Sequence, residues 1–282
     1  YSGNPNLEVN KVVALQDAIS NENSITWCSD ANSGQLKNLN TTAIVIVSNL
    51  VDITINNNLN YLIVDNPRRT FQEILTQFFN PKREASISAT ATIATDVKMG
   101  SNVFIGHGVV IEQNCTIGND VTILHNTVIL KDAVIGNHVS IGSNNTIGGV
   151  GFGYEKNATG DFELIPHIGN VIIHNHVDIG NNTCIDRAVL GSTILHENVK
   201  IDNLVHIAHG VVVGRNSVII ANAMVAGSVV IGDNTWIAPS SAIINKKTIG
   251  CNALIGLGAV VTKDVADNDV VAGNPARSLK NK

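Results

Sequence analysis

Nine histidines are the side chains in this chain best suited to proton transfer, because the ordinary pKa of imidazole lies close to neutral pH. Two of them, His206 and His209, stand three residues apart in the segment HIAHG. Six others occupy positions where a simple turn residue is the alternative interpretation: His107, His125, His138, His174, His176 and His196. A general base is therefore available if the fold places one of these rings beside a substrate.

The four cysteines are far apart, and none forms a C-x-x-C pair: Cys28, Cys115, Cys184 and Cys251. A zinc site or a redox dithiol is therefore not expected. We expect free thiols in a reducing cytoplasm that act as small buried hydrophobes. The chain opens without a charged and apolar leader and has no long apolar run, so we expect neither a secretory signal nor a membrane span.

Composition favours regular β-structure over a helical bundle. Of 282 residues, 44% are hydrophobic, only 4% are aromatic, and 24 are glycine, which is a poor helix former. The formal net charge is −5, and no Lys/Arg cluster is present. We therefore do not expect nucleic acid as a partner, because binding it needs a basic surface.

An aliphatic residue recurs at every sixth position through most of the chain. One row runs from Ile87 to Ile147 with no polar residue, and another runs from Val189 to Val261. A short row in a shifted register links them: Ile173, Ile179 and Ile185. A period of six fits neither a helix nor a strand, but it fits a short strand plus a turn on each face of a triangular coil. We predict a left-handed parallel β-helix whose corners hold Gly, Asn and Asp, since φ can be positive there.

Two regions depart from this period. Residues 150–170 include Phe152 and Tyr154, and they read as a functional loop leaving one face of the solenoid. The N-terminal region has two apolar runs (44–47 and 61–64), a helix capped by Asn66-Pro67 with a buried stripe (Phe71, Ile74, Leu75, Phe78), and a weaker helix candidate at 7–19. We predict an α/β domain at 1–83, joined through Pro81-Lys82-Arg83-Glu84, then a solenoid at 84–265 and a tail at 266–282.

Several segments of the chain resemble the UDP-3-O-acylglucosamine N-acyltransferases of lipid A synthesis. They are residues 147–173, 177–193 and 200–214 of the solenoid, with SITW (24–27) and DNPRRTF (65–71) resembling that family's nucleotide-binding domain. The resemblance implies a cytoplasmic homotrimer with active sites between adjacent prisms. It also implies transfer of an acyl group from a thioester to the amine of a nucleotide-linked amino sugar.

The resemblance assigns the catalytic roles. His209, in IAHG, matches the family's catalytic base. Gly227 lies 18 residues, or one coil, after His209. The resemblance implies that the Gly227 backbone N–H donates a hydrogen bond to the oxyanion of the reaction intermediate. Asn245, one coil further, stands near the position of a second functional His in the family.

Six residues are candidates for binding the nucleotide sugar. Trp27 is expected to stack on a pyrimidine base, with a core position as the alternative. Asp30 stands where the family has Asn, so uridine and thymidine both stay open. Phe152 and Tyr154 are expected to line the acceptor site, and His206, with Asn203, is expected to contact the acceptor or serve a structural role.

The C-terminal segment 255–280 resembles the coenzyme A-dependent acetyltransferases of the same solenoid class, and we expect no helical tail for docking acyl carrier protein. Ala238 and Gly256 are predicted to admit a pantetheine arm, and Lys263 and Arg277 to bind its phosphates or to be solvated charges. The sequence therefore predicts a short acyl group passed from acyl-coenzyme A, with no metal, for a surface glycan such as O-antigen.

Two alternatives remain at this point. One is the lipid A enzyme itself, with an acyl carrier protein donor. The other is a non-catalytic solenoid or a metal trimer resembling carbonic anhydrase, for which the stretch from His167 to His176 offers ligands.

Overall fold

Two units make up the chain, Tyr1–Arg83 and Glu84–Lys282. The computed structural model describes residues 2–4, 6–39, 42–80 and 83–280. Pro81 and Lys82, part of the predicted junction, lie outside the described residues. Among the residues that are described, no helix has the length and hydropathy needed to cross a bilayer.

The first unit is built on a parallel sheet of four strands that lie side by side in chain order. Its strands are β1 (Lys11–Val12), β2 (Ser24–Trp27), β3 (Ile44–Val47) and β4 (Asn60–Ile63). Helix α1 (Pro67–Ile74) continues into a π-helical turn (Leu75–Phe79), and 3₁₀ turns cover Leu15–Ser20, Asp30–Asn38 and Ile53–Asn56. The predicted cap is confirmed, because the Asn66 side chain accepts a hydrogen bond from the Arg69 N–H at 3.1 Å.

Two predictions for this unit are wrong in detail. The weak helix candidate at 7–19 is instead strand β1 followed by a 3₁₀ turn, since β1 pairs with β2 and that pairing overrides local propensity. The predicted buried stripe is only half-buried at Phe71, Ile74 and Leu75, and it loses its last member, because Phe78 is 68% exposed while Phe79 is half-buried. The π-helical turn has a wider repeat than an α-helix, so it shifts the buried face by one residue.

The second unit is a three-faced parallel β-helix, as predicted. The first face holds β5 (Ser86–Ile87), β8 (Phe104–Ile105), β11 (Thr122–Ile123), β14 (Ser140–Ile141), β19 (Asp178–Ile179), β22 (Lys200–Ile201), β25 (Val218–Ile219), β28 (Trp236–Ile237), β31 (Leu254–Ile255), β33 (Val270–Ala272) and β34 (Arg277–Ser278). The second face holds β6 (Thr92–Ile93), β9 (Val110–Ile111), β12 (Val128–Ile129), β15 (Thr146–Val150), β20 (Cys184–Arg187), β23 (His206–Ile207), β26 (Met224–Val225), β29 (Ala242–Ile243) and β32 (Val260–Val261). The third face holds β7 (Lys98–Met99), β10 (Thr116–Ile117), β13 (Val134–Ile135), β18 (Asn170–Ile173), β21 (Ser192–Leu195), β24 (Val212–Val213), β27 (Val230–Ile231) and β30 (Thr248–Ile249).

The rows of aliphatic residues form the axis of this prism. Ile117 pairs in register with Ile135, one coil of 18 residues later, and most members of the rows are fully buried. Val189 is an exception, because it lies outside a strand in the irregular stretch between β20 and β21. Branched side chains suit these positions because their stiff rotamers stack without voids.

The corners use asparagine and glycine for different reasons. Positive φ angles fall mainly on Asn and Asp, for example 59° at Asn114 and 56° at Asp120. Several glycines that follow the aliphatic row have no positive φ, which corrects the prediction. At Gly118, a Cβ would lie 2.5 Å from the Gly136 carbonyl oxygen, so this glycine permits the close stacking of successive coils.

The predicted excursion leaves the prism as a β-hairpin. Strands β16 (Tyr154–Lys156) and β17 (Phe162–Leu164) pair antiparallel, and we call residues 151–168 the hairpin loop. The loop lengthens one coil, so that Ile135 pairs with Ile173. It emerges beside the corner that carries His209.

The cysteines are free thiols, as predicted. Cys28 and Cys115 are buried, but Cys184 is exposed, so it is not a buried hydrophobe. It lies outward on the second face, where its register partner is His206.

Candidate functional site

His209 occupies the corner between the second and third faces, directly after β23. Gly227 follows β26 at the same corner, because β23 and β26 pair in register. A Cβ on Gly227 would lie 2.6 Å from both Cε1 and Nε2 of His209. The imidazole therefore rests on Gly227, as the spacing of one coil predicts, and no larger residue leaves room for it.

The Gly227 amide offers a free donor beside this ring. Neighbouring amides continue the ladder, since Ala226 N–H donates to the Ile243 oxygen and Ser228 N–H to the His209 oxygen. The Gly227 N–H makes no hydrogen bond to any residue that the structure describes. Such a donor is what a developing oxyanion requires.

The environment of His209 favours its neutral form. Burial lowers the pKa of its imidazole below the ordinary value, and any positive charge that His167 or His206 takes up would lower it further. His209 therefore carries a free lone pair at neutral pH, which is the state that a general base needs.

A buried carboxylate lies on the neighbouring coil. Asp186 Oδ2 stands 3.6 Å from His206 Nε2. Burial raises the pKa of Asp186, while the positive charges that His206 and His167 can carry oppose this shift. His206 is half-exposed, so its ring can meet a ligand with the Asp186 carboxylate behind it.

The hairpin loop brings His167 to the same place. The His167 and His209 rings meet edge to face, with centroids 5.3 Å apart at 81°. A Cβ on Gly151 would lie 2.9 Å from His167 Nε2 and 3.0 Å from His209 Cβ and Cδ2, so only glycine fits between them. We call Asp186, His206, His209 and His167 the histidine cluster.

Apolar side chains of the hairpin loop line a cavity of about 430 Å³, formed by Phe152, Gly153, Tyr154, Phe162 and Ile165. Phe152 is 88% exposed, and its ring lies 4.9 Å from that of Tyr154. A Cβ on Gly153 would lie 3.1 Å from His167 Cε1, so the cavity adjoins the histidine cluster. Phe152 and Tyr154 thus line a cavity next to the histidine cluster, and their contact with an acceptor stays a prediction.

Asn203 lies on a different corner, between the first and second faces. Its Oδ1 accepts hydrogen bonds from the Asn181 N–H at 2.7 Å and from Asn181 Nδ2 at 2.9 Å. Asn203 Nδ2 donates to Asp202 Oδ1 at 2.8 Å. These contacts give Asn203 a structural role in the stacking of coils, and its contact with an acceptor stays a prediction.

Trp27 lies in the first unit, half-buried at the end of β2. It lines a cavity of about 530 Å³ together with Asn32, Gln35 and Phe71. Asp30 does not line this cavity; its Oδ1 accepts a hydrogen bond from the buried Ser48 hydroxyl at 2.6 Å. The sequence interpretation did not include Asn32 and Gln35 in this site. Both lie in the 3₁₀ turn that follows Trp27, and this closeness in sequence could have indicated them.

The four predicted donor-binding residues separate into two places. Lys263 lies on the His209 corner, three coils or about 14 Å further along the prism, and it shares a cavity of about 170 Å³ with Arg277. Ala238 and Gly256 lie on the corner between the first and second faces. The space above Gly256 is filled, since a Cβ there would lie 2.9 Å from the Ala272 Cβ.

The structure adds two residues that the sequence interpretation did not place in the site, His167 and Asp186. Asp186 lies within the segment 177–193 that carries the family resemblance, so the sequence could have indicated it. His167 is 42 residues from His209 in the chain, and the two rings come into contact only through the fold. Within the described part of the chain, no three His, Cys, Asp or Glu side chains are arranged to hold a metal ion.

Comparison with known sequences points to one enzyme name. The profile of the bacterial transferase hexapeptide family (six repeats) matches residues 114–149 and 192–227. The chain is 47% identical over 180 residues to the UDP-3-O-acylglucosamine N-acyltransferase of Helicobacter pylori, covering 59% of this chain and 53% of that protein. A Legionella pneumophila protein of the same name is 48% identical over 177 residues, covering 56% of this chain and 50% of that one. The resemblance inferred from the sequence is confirmed.

A third relative of that name, from Christiangramia forsetii, is 51% identical over 130 residues, covering 46% of this chain and 38% of that protein. The chain thus spans about half or less of the length of these relatives. Two solved structures share the fold with a TM-score of 0.63, each covering 68% of this chain and 73% of the other. They are UDP-N-acetylglucosamine acyltransferases from Campylobacter jejuni, at 25% identity, and Bacteroides fragilis, at 26%.

These relatives correct the functional prediction. Transfer of a short acyl group from acyl-coenzyme A for a surface glycan is wrong, and the alternative, the lipid A enzyme, agrees with the name that the relatives share. The prediction followed the C-terminal segment. The repeats that match the hexapeptide profile over residues 192–227 include His206, His209 and Gly227, whereas that profile does not extend to the C-terminal segment.

Proposed function

We propose that this chain transfers an acyl group from a thioester to the amine of UDP-3-O-acylglucosamine. The observation that carries the proposal is His209, packed on Gly227 in repeats that match the hexapeptide transferase profile, in a chain whose relatives bear this enzyme name. The site supplies a base, an oxyanion donor and an apolar cavity, and these are the parts that amide formation on an acylated sugar needs.

His209 takes the role of general base in the proposed reaction. The amine nitrogen attacks the thioester carbonyl and loses its proton to a lone pair of the His209 ring. Collapse of the tetrahedral intermediate then forms the amide bond and breaks the C–S bond, and the leaving thiolate takes the proton from His209. Because burial lowers the pKa of His209, the ring starts the cycle neutral.

The Gly227 N–H is the donor we assign to the oxyanion. It lies beside the His209 ring and is not used by the ladder of hydrogen bonds between coils. Removing a single donor of this kind typically costs an enzyme about 10²–10³-fold in turnover, so one free amide is a substantial contribution.

Two parts of the acceptor need a binding surface, its apolar 3-O-acyl chain and its aromatic uracil ring. The hairpin-loop cavity is lined by Phe152, Tyr154 and Phe162, and it is suited to the 3-O-acyl chain because apolar surface is removed from water there. In the first unit, Trp27 is the residue we assign to the uracil ring, with Asn32 and Gln35 as hydrogen-bonding side chains in its cavity.

The donor we assign is an acyl thioester on an acyl carrier protein, as in the lipid A alternative. Such a carrier presents the acyl group on a phosphopantetheine arm, whose phosphate can pair with cationic side chains. The assignment of Lys263 and Arg277 to donor phosphates remains a prediction; the shared cavity of these residues supports it. We place the reaction in the cytoplasm, in keeping with the four free thiols.

We further propose a homotrimer as the active form. The third face carries an outward row of aliphatic residues on five successive coils, formed by Val134, Ile172, Ile194, Val212 and Val230. Val134 and Val230 are 37% and 44% exposed in the single chain. A continuous apolar stripe of this kind is suited to burial against another copy of the chain.

The test is an acyl-transfer assay on the purified chain. UDP-3-O-acylglucosamine is incubated with 3-hydroxyacyl carrier protein or with 3-hydroxyacyl-coenzyme A, and the product is identified by mass spectrometry. UDP-N-acetylglucosamine, which lacks the free amine, is the matched control. We expect an N-acylated product from the first acceptor alone; no product from either donor would refute the proposed function.

A further inference from the structure

The backbone holds His167 rigidly within the hairpin loop. On one side, the Ile165 N–H donates to the Gly153 oxygen at 2.9 Å; on the other, the Ile168 N–H donates to the Val189 oxygen at 3.0 Å. The side chain is only 7% exposed. An imidazole fixed in this way has a defined direction for each of its two nitrogens.

One nitrogen of His167 is engaged and the other is not. Nδ1 lies 2.7 Å from the Ile165 carbonyl oxygen, and because a carbonyl only accepts, Nδ1 carries the hydrogen. Nε2 of the neutral ring is therefore an acceptor. It is shielded from solvent and has no hydrogen-bond partner among the residues that the structure describes. A buried acceptor without a donor is unfavourable, and in native proteins it commonly marks a functional contact.

Nε2 points toward His209. The same added Cβ on Gly151 would meet His167 Nε2 at 2.9 Å and His209 Cδ2 at 3.0 Å, so these two atoms border one small gap. The His209 ring has no hydrogen bond to any part of the chain that the structure describes. A half-turn about its Cβ–Cγ bond exchanges Cδ2 with Nδ1 in the same volume, which places the His209 Nδ1–H on the side of His167.

We propose that His167 is the positioning residue of the base: its Nε2 accepts a hydrogen bond from His209 Nδ1–H. This inference rests on the proposed function for its catalytic meaning, but its geometry does not. The contact fixes the tautomer of His209, so that its Nε2, which lies against Gly227, keeps the lone pair that receives the amine proton. The chain of contacts runs from the Ile165 carbonyl through His167 to His209.

The kinetic test compares two substitutions of His167. His167→Leu removes the acceptor, and we expect kcat to fall about 10- to 100-fold with the acceptor KM nearly unchanged, because only the orientation of the base is lost. His167→Gln keeps an acceptor oxygen and should retain most of kcat. His196→Leu is the matched control, since it removes an imidazole from another ring pair, 5.1 Å from His174.

The spectroscopic test needs no substrate. Long-range ¹H–¹⁵N spectra of histidine-labelled protein distinguish an Nδ1–H ring from an Nε2–H ring, and the His209 signals are assigned by their loss in His209→Asn. We expect His209 as Nδ1–H in the unaltered protein and in His167→Gln, and a shift toward Nε2–H in His167→Leu.

Three results would overturn the inference: an Nε2–H tautomer of His209 in the unaltered protein, a kcat of His167→Leu equal to that of His196→Leu, or a His167→Gln enzyme as slow as His167→Leu. If His167→Leu does not fold, the tautomer of the unaltered protein still decides. Absence of any acyl transfer would instead refute the proposed function. The His209 tautomer measured by NMR would then still test the hydrogen bond from His209 to His167.

Discussion

His209 is confined by its neighbours on two sides, Gly227 below the ring and Gly151 beside it. That confinement makes its chemistry testable one residue at a time. We expect His209→Ala to lower turnover by about 10²–10⁴-fold with little change in acceptor affinity, because a general base acts in the transition state and not in binding. The measurement is steady-state kinetics with both substrates varied. Near-normal turnover would move the role to His206 or His167.

The titration of His209 is a second prediction at this scale. Burial and the neighbouring histidine charges depress its folded pKa, so the ring should stay neutral down to a pH below the ordinary value of about 6.5. An NMR titration of the His209 Cε1–H signal measures this midpoint, with the chain in urea as the reference. A folded midpoint equal to or above the unfolded one would contradict the assignment.

Trp27 has its own test. We expect Trp27→Ala to weaken nucleotide-sugar binding by about 1–3 kcal/mol, the contribution of one stacked base. Trp27→Phe is the control, because it keeps an aromatic surface in the cavity. Calorimetric titration with UDP gives the affinities directly. An unchanged affinity in a folded Trp27→Ala protein would return this residue to the core of the small domain.

At the scale of the element, the corner after β26 has room only for a glycine at position 227, because the His209 ring packs against it. Gly227→Ala places a methyl group 2.6 Å from two ring atoms of His209 and must displace the ring. We expect turnover to fall about 100-fold, since a shift of about 1 Å in a catalytic group costs that much. Gly34→Ala is the control, because a Cβ there meets nothing within 4 Å. Equal activity of the two variants would show that the base does not depend on this contact.

The elements also show how far sequence reasoning reaches. The period of six predicts which residue of nearly every short strand is buried, because one aliphatic per face must stack on the next coil. It does not predict why Gly118 is glycine, since the clash involves the carbonyl of Gly136, one coil away. It also cannot bring His167 to His209, because the hairpin loop has no period of its own and its path depends on tertiary contacts.

At the scale of the whole molecule, the outward row on the third face leads to a prediction about assembly. We expect sedimentation at three times the chain mass of 29.8 kDa. A double change of Val212 and Val230 to Lys should yield folded monomers, because burying two charges per chain at an interface is unfavourable. Thr122→Lys, outward on the first face, is the control. A trimer that survives the double change would place the interface elsewhere.

The lengthened coil has a consequence for how function can be added to this fold. Asn119 and Asn137 are 18 residues apart across a regular coil, whereas Asn137 and Asn175 are 38 apart across the coil that carries the hairpin loop. The entropy of closing a loop grows only with the logarithm of its length, so doubling the span costs roughly 0.6 kcal/mol. Closure of the longer turn is therefore a small cost, and the larger cost of ordering the added residues is offset within the hairpin loop itself, where β16 pairs with β17.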